Sequence, residues 1–165
     1  MLSEGIREAC RWLQDLPLSV VVRESEWLFP TIETLHVLAL VLVVGSIWTI
    51  DFRLLGFGNR QRPFSHVARE MLPWTWSAFV LAAAAGSLMF ASKAVKYVDN
   101  IPFRLKMLCL ALAAINMLTF HWLGSRRLAE WDTGTTPSSA KFAGAASLTL
   151  WIAIVAAGRW IGFTT

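Results

Sequence analysis

No Ser-His-Asp spacing, CxxC pair, HExxH, Walker loop or GxGxxG occurs anywhere in the 165 residues, so the chemistry of the familiar soluble enzymes has no foothold. Cysteine is nearly absent as well. Cys10 lies in a polar amphipathic stretch and Cys109 deep in an apolar run, so no disulfide is expected and cysteine usage does not fix the redox compartment. A net charge of +4 would draw attention to nucleic acid, but the basic residues flank apolar runs and build no continuous stripe with aromatics between them. Snorkelling and membrane topology account for them instead, and no nucleic-acid partner is expected. The first dozen residues mix acids with bases and contain no apolar core of a cleavable leader, so the first membrane helix is expected to act as the insertion signal. No internal repeat is convincing, which together with unbroken helices argues against a transporter built on inverted halves.

What the chain does have is apolar surface. Hydrophobic residues make up 56% of it, against about 45–50% in ordinary globular domains, and the mean hydropathy is +0.53. These residues are gathered into long runs of Leu, Ala, Val, Ile and Trp, the pattern that lipid contact requires. Four runs reach the roughly 20 residues needed to cross about 30 Å of hydrocarbon, at positions 27–50, 72–95, 103–123 and 142–163. Nine Trp add to the case, because indole rings favour the headgroup layer.

The expected architecture is therefore all-α: one integral membrane domain over 1–165, an up-and-down four-helix transmembrane bundle whose principal environment is the lipid bilayer. Pro30 and Pro73 read as first-turn residues, Gly56 and Gly58 as the end of the first helix, and Asn100-Ile101-Pro102 as the break between the second and third. Small residues at 82–87, 144–147 and 156–158 predict close helix packing. Ahead of the first span, Ile6, Ala9, Cys10 and Leu13 share one face of an amphipathic helix over 6–18, expected to lie at the interface. The stretch 132–139 reads as a polar loop. Four spans put both termini on one side, side A, with the 96–102 loop; side B holds the other two loops. Side A carries eight basic residues and side B seven, among them Arg60, Arg62, Arg126 and Arg127. Because the side B bases stand in loops close to the spans, side B is expected to face the cytoplasm and both termini the periplasm of a bacterial inner membrane.

An intramembrane charge costs at least about 2.5–3.5 kcal/mol at mid-depth, so each one needs a partner or a purpose. Glu33 and His36 share a face of the first helix, and Lys93, Arg104, Lys106 and Arg159 fall at a similar depth on the others. Ion pairing and snorkelling explain such charges singly; four helices bringing charges to one level predicts a pocket. His36 would be its ligand, Glu33 the group that orients it, and Lys106 and Arg159 the neutralisers of carboxylates, with Glu33–Arg159 expected as an inward pair. Met89, Met107 and Cys109, from what would be neighbouring helices, complete a soft set with His36 suited to copper as Cu(I), while His with Met suits haem b; all three are also ordinary core fillers. His121 stands at the other end of the third helix, about 18 Å from His36 along the axis, so the two do not share one haem within a chain, and His66 is its nearer candidate partner. Asp51 and Arg53 at the end of the first helix, with Arg126 and Arg127 after the third, read as interfacial anchors and ion-pairing groups.

The segments Glu24 to His36, Asp51 to Gly56, Leu72 to Trp76, Asn100 to Lys106, Leu150-Trp151 and Gly158 to Ile161 together make the chain resemble, over nearly its whole length, a bacterial family of small four-helix membrane proteins of unknown function. The stretch from Tyr97 through Lys106 to Asn116 is similar to the membrane domains of CopD-type copper-resistance proteins, a likeness that implies copper handling. Taken together, these features predict a small bundle that binds copper or haem b for copper handling or membrane electron transfer, with a periplasmic metal or redox partner or a second copy of itself. The opposing reading is a cofactor-free structural or assembly subunit.

Overall fold

The computed structural model describes residues 4–57, 63–124, 128–132 and 134–164. Gly58, Arg60, Arg62, Arg126 and Arg127, which entered the sequence argument, lie outside the described residues. Every regular element among the described residues is helical: α1 (Glu4–Gln14), α2 (Pro17–Glu24), α3 (Leu28–Leu55), α4 (Phe64–Ser92), α5 (Ala94–Asp99), α6 (Ile101–Thr119) continued by a π-helical segment (Phe120–Gly124), α7 (Leu128–Trp131) and α8 (Ser138–Thr164). Four of them are long and apolar enough to cross a membrane: α3, α4, the stretch Ile101–Trp122, and α8. The chain is a membrane protein of four spans.

The spans outrun the apolar runs that announce them. At 1.5 Å per residue, the 28 residues of α3 reach about 42 Å, more than the hydrocarbon thickness, so α3, and likewise α4 and α8, carry on into the headgroup layers, whereas the 22 residues of Ile101–Trp122 reach only about 33 Å. The largest departure is α4, which starts at Phe64 rather than near Leu72. Pro73 consequently lies inside this helix and not in its first turn. It removes one N–H from the ladder, a loss that a long membrane helix tolerates. The other punctuation acts as read. Gly56 ends α3 at φ 92°, a left-handed conformation that glycine adopts without cost. Asn100 caps α6 by accepting from Phe103 N at 3.0 Å, with Pro102 in the first turn.

The expected 6–18 helix is broken at Leu16, where Pro17 starts α2. Together α1, α2 and α5 cover the side A end of the bundle: Arg7 on α1 pairs with Asp99 on α5 at 3.0 Å, and Cys10, Ser19 and Val22 are buried beneath. The amphipathic segment therefore rests its apolar face partly on protein.

The four spans are arranged in the order α4, α3, α8, α6. The closest and longest packing is α3 on α4, then α6 on α8, with α3 on α8 joining the two pairs. The second and third spans, α4 and α6, are not close neighbours along their length, as a cyclic up-and-down bundle would make them; they meet at the side A end, where Phe90 stacks on Phe103 at 5.3 Å and 9°. One core cluster draws on all four spans, with Val43, Ala78, Cys109, Trp151 and Ile154 at mid-depth; a second, Leu54, Phe64, Trp131 and Ala140, closes side B. The small residues do what their positions imply. Ala82 and Ala85 are buried in the α3–α4 contact, and a Cβ on Gly144 would stand 3.1 Å from Leu54 Cβ and 3.2 Å from the Asp51 carbonyl, so only glycine admits α3 this close to α8.

Candidate functional site

At side A the site begins with His36, which α3 directs at α4. Its Nδ1 lies 2.7 Å from the Ala82 carbonyl. A carbonyl only accepts, so Nδ1–H donates, and in the neutral ring Nε2 keeps its lone pair. Gly86, one turn beyond Ala82, makes the approach possible: a Cβ there would be 3.0 Å from His36 Cε1 and 3.3 Å from Nδ1.

Lys106 enters the same region from α6. Its stem runs against Gly158 of α8, where a Cβ would meet Nζ at 3.5 Å and Cε at 3.8 Å. The space beside Gly158 thus admits a lysine rather than a closer helix. Lys106 and Glu33 both exert their charge on the His36 ring, and the Glu33 charge also reaches Tyr97. Among the described residues no carboxylate lies within ion-pair distance of the Lys106 ammonium.

Tyr97, not singled out by the sequence, completes this end. It is buried on α5 and packs against Phe103 at 5.5 Å and Phe90 at 6.3 Å. Burial first, and the nearby Glu33 carboxylate second, hold its hydroxyl above the ordinary tyrosine pKa. The signal for it was available: a lone tyrosine in a short loop between two spans has an apolar ring to bury and a hydroxyl to place.

Other expected members stand elsewhere. Arg159 is exposed, with its guanidinium over the Phe163 ring at 4.6 Å; the expected inward pair with Glu33 is not formed among the described residues, because the side of α8 that faces the bundle here presents Gly158 to Lys106. Lys93 lies over the Phe29 ring at 4.0 Å, and Arg104 is exposed. Met107 is 41% exposed on the outer surface. Cys109 packs in the mid-depth core with Val43, which is about two helical turns from His36 along α3. Met89, half-buried one turn beyond Gly86 on α4, is the soft side chain at the level of His36. The expected copper set of His36, Met89, Met107 and Cys109 is therefore spread over three surroundings, because α4 and α6 are not the close neighbours it requires. Among the described residues, no group of three or more His, Cys, Asp or Glu side chains could hold a metal ion. His121 is exposed in the π-helical segment at side B, and His66 stands 3.4 Å from Glu70 on its own helix.

Side B departs furthest from expectation. Asp51 and Arg53, read as interfacial anchors, are only 4% and 5% exposed. Two residues apart on a helix, they face different neighbours. Arg53 reaches the Asp132 carbonyl at 3.4 Å. The Asp132 carboxylate accepts from Ser65 N at 2.8 Å and Ser65 Oγ at 2.6 Å, and so caps the start of α4 from the α7–α8 connection. Burial is the largest single influence on this carboxyl and would raise its pKa. The Ser65 side-chain and backbone bonds, the Phe64 backbone and the Arg53 charge together outweigh it and hold the pKa below the usual carboxylate range. Asp51 instead faces α8, where the Ser147 hydroxyl stands near its carboxyl. Between the two ends, Thr75 Oγ1 donates to Ser46 Oγ at 2.7 Å across the α3–α4 contact.

Four apolar spans, a capped side A end and this distribution of polar groups run through one continuous match: a family model covers residues 13–164. The chain belongs to the Family of unknown function (DUF6644). The resemblance seen in the sequence is thereby confirmed at family level, and membership in DUF6644 assigns this bundle no activity. No curated protein and no solved structure matches the chain.

Proposed function

We propose that this protein is a multi-pass protein of a bacterial inner membrane whose side A cluster binds haem b for membrane electron transfer. His36 Nε2 would hold the iron and Lys106 would neutralise a carboxylate of the cofactor. The observation that carries the reading is the 2.7 Å bond from His36 Nδ1–H to the Ala82 carbonyl, the kind of second contact that orients metal-ligating histidines and leaves the other nitrogen to ligate. The ammonium beside the ring favours haem over copper: it opposes a bare cation but complements the carboxylates of an amphipathic cofactor. The scattered soft donors weigh against copper in the same way. When bound, haem supplies one-electron transfer; the chain's own residues fix the imidazole, hold a cation at carboxylate depth and place the Tyr97 hydroxyl within the field of Glu33.

His66 and His121 both belong to side B, so any further histidine that would help His36 hold the cofactor would come from a redox partner or from a second copy of the chain. With both termini periplasmic, that partner meets the protein on the periplasmic side. The other reading is a cofactor-free structural or assembly subunit.

The visible spectrum and metal content of the full-length protein, purified in mild detergent from haem-supplied cells, separate the two. Haem bands that are lost in His36→Ala and retained in His66→Ala and His121→Ala are expected, without copper. A colourless wild type that also fails to take up added haem would remove the cofactor reading and leave the assembly subunit.

A further inference from the structure

At the opposite end of the bundle, two polar atoms on one helix are sealed from solvent and make no hydrogen bond among the described residues: the indole nitrogen Trp48 Nε1 and the carboxyl oxygen Asp51 Oδ2. One is a donor and the other an acceptor. They sit three residues apart on α3, where side chains are neighbours about one turn apart with roughly 5–6 Å between Cβ atoms. Asp51 is 4% exposed, and the Ser147 hydroxyl of α8 stands near its carboxyl. Leaving either atom unsatisfied costs about 1–3 kcal/mol, so two such atoms together on a membrane helix imply something between them.

From this pairing we infer that a buried water beside α3 accepts from Trp48 Nε1–H and binds Asp51 Oδ2. The chemistry selects the ligand. A cation that suited the carboxyl would be opposed by the indole N–H, and an anion that suited the indole would be opposed by the carboxyl. A small neutral molecule with both donors and acceptors satisfies both, and two hydrogen bonds of about 2.8–3.0 Å through one oxygen span the separation that i, i+3 side chains offer. Water also serves Asp51 in either protonation state, donating to the carboxylate or accepting from the acid, whereas a direct Trp48–Asp51 bond needs the oxygen to accept. Supply is short: Asp51 lies four residues from the side B end of α3, about 6 Å along the axis. The site is independent of the His36 cluster, which is at the other membrane face.

The test is proton NMR of the full-length protein in nanodiscs with ¹⁵N-labelled tryptophan, with Trp48→Phe assigning the Trp48 indole signal. A persistent cross-peak from the Trp48 indole proton to water is expected in the wild type. It should be retained in Asp51→Asn, which keeps the polar groups and the shape, and lost in Asp51→Leu, which removes the water's second partner. An indole proton in the wild type with no water contact, or one strongly shifted by a direct bond to Asp51 without a water cross-peak, would overturn the inference. So would a cross-peak unchanged in a folded Asp51→Leu variant; if that variant does not fold, the wild-type and Asp51→Asn spectra alone decide.

Discussion

Replacing Gly86 by alanine ought to stabilise a helix, and in this protein it is expected to do the opposite. In a helix interior alanine is favoured over glycine by about 0.8–1 kcal/mol, and Gly86 is an interior residue of α4. The new methyl, however, would stand 3.0 Å from His36 Cε1 and 3.3 Å from Nδ1, closer than carbon and nitrogen pack. The ring cannot keep that position and the 2.7 Å bond to the Ala82 carbonyl together. Overpacking of this kind costs about 1–3 kcal/mol, and the lost hydrogen bond about 0.5–1.5 kcal/mol. Set against the propensity gain, the net destabilisation is roughly 0.5–3.7 kcal/mol. A second arm isolates the cause. In a His36→Ala background the clash is gone, so Gly86→Ala should there be neutral or stabilising, and the cycle should be non-additive by about the clash plus bond term. Reversible unfolding in mixed micelles, followed by circular dichroism, measures all four proteins. If Gly86→Ala raises the stability of the wild type, His36 does not lie against Gly86 and the side A geometry is wrong.

Three further outcomes follow from other parts of the molecule. Cysteines at Lys96 and Phe163 should react with an impermeant reagent from one side of sealed vesicles and those at Phe57 and Thr135 from the other; Lys96 and Phe163 on opposite sides would refute four spans. Arg159→Lys should change thermal stability by less than about 0.5 kcal/mol and add to Glu33→Gln without coupling, since Arg159 lies over Phe163 at the surface; strong coupling would restore the inward pair. Asp132 contributes stability that is fully present above the unfolded carboxylate pKa and is lost as pH falls through its lower folded value, so melting temperature should fall with acidification below the ordinary carboxylate range, and Asp132→Asn should flatten that limb. An unchanged acid limb in Asp132→Asn would show that the cap on α4 is not what titrates.

The fold was largely legible because membrane spans obey a length and hydropathy rule that does not depend on which helices are neighbours. Helix order was not legible for the same reason: lipid-facing and helix-facing surfaces are both apolar, so the amphipathic stripe that reports neighbours in a soluble bundle is missing. That one ambiguity undid the copper set. Cys109 and Met107 were placed by assuming that α6 lies on α4, whereas α6 lies on α8. His36 and Lys106 stand out in the sequence because intramembrane polar residues announce themselves singly, and the structure places both at the side A end. Asp51 was misread for a local reason: four residues from a helix end, an acid reads as an anchor, and only the glycine and serine spaced three apart on α8, Gly144 and Ser147, indicated that another backbone closes over it.

The observed order of spans puts α3 and α8 in the middle, each packed on two long neighbours, and α3 meets polar groups of both of its own, α4 and α8. On its α4 side it carries His36 against Ala82 and Ser46 against Thr75; on its α8 side it carries Asp51 against Ser147. These contacts are separated by the mid-depth cluster of Val43, Ala78, Cys109, Trp151 and Ile154, which is apolar and draws on every span. A continuous file of polar groups from one face to the other is thereby interrupted, so the two ends of α3 are chemically distinct compartments, one with a histidine beside a cation and one with a carboxyl beside a hydroxyl and an indole. Disturbance at one end reaches the other only through movement of α3 as a rod. Substituting Val43, 0% exposed at the centre of that cluster, by alanine should therefore lower stability by the cost of a core cavity without altering either the His36–Ala82 contact or the Trp48–Asp51 site, whereas a change in both would mean that the ends communicate through the core.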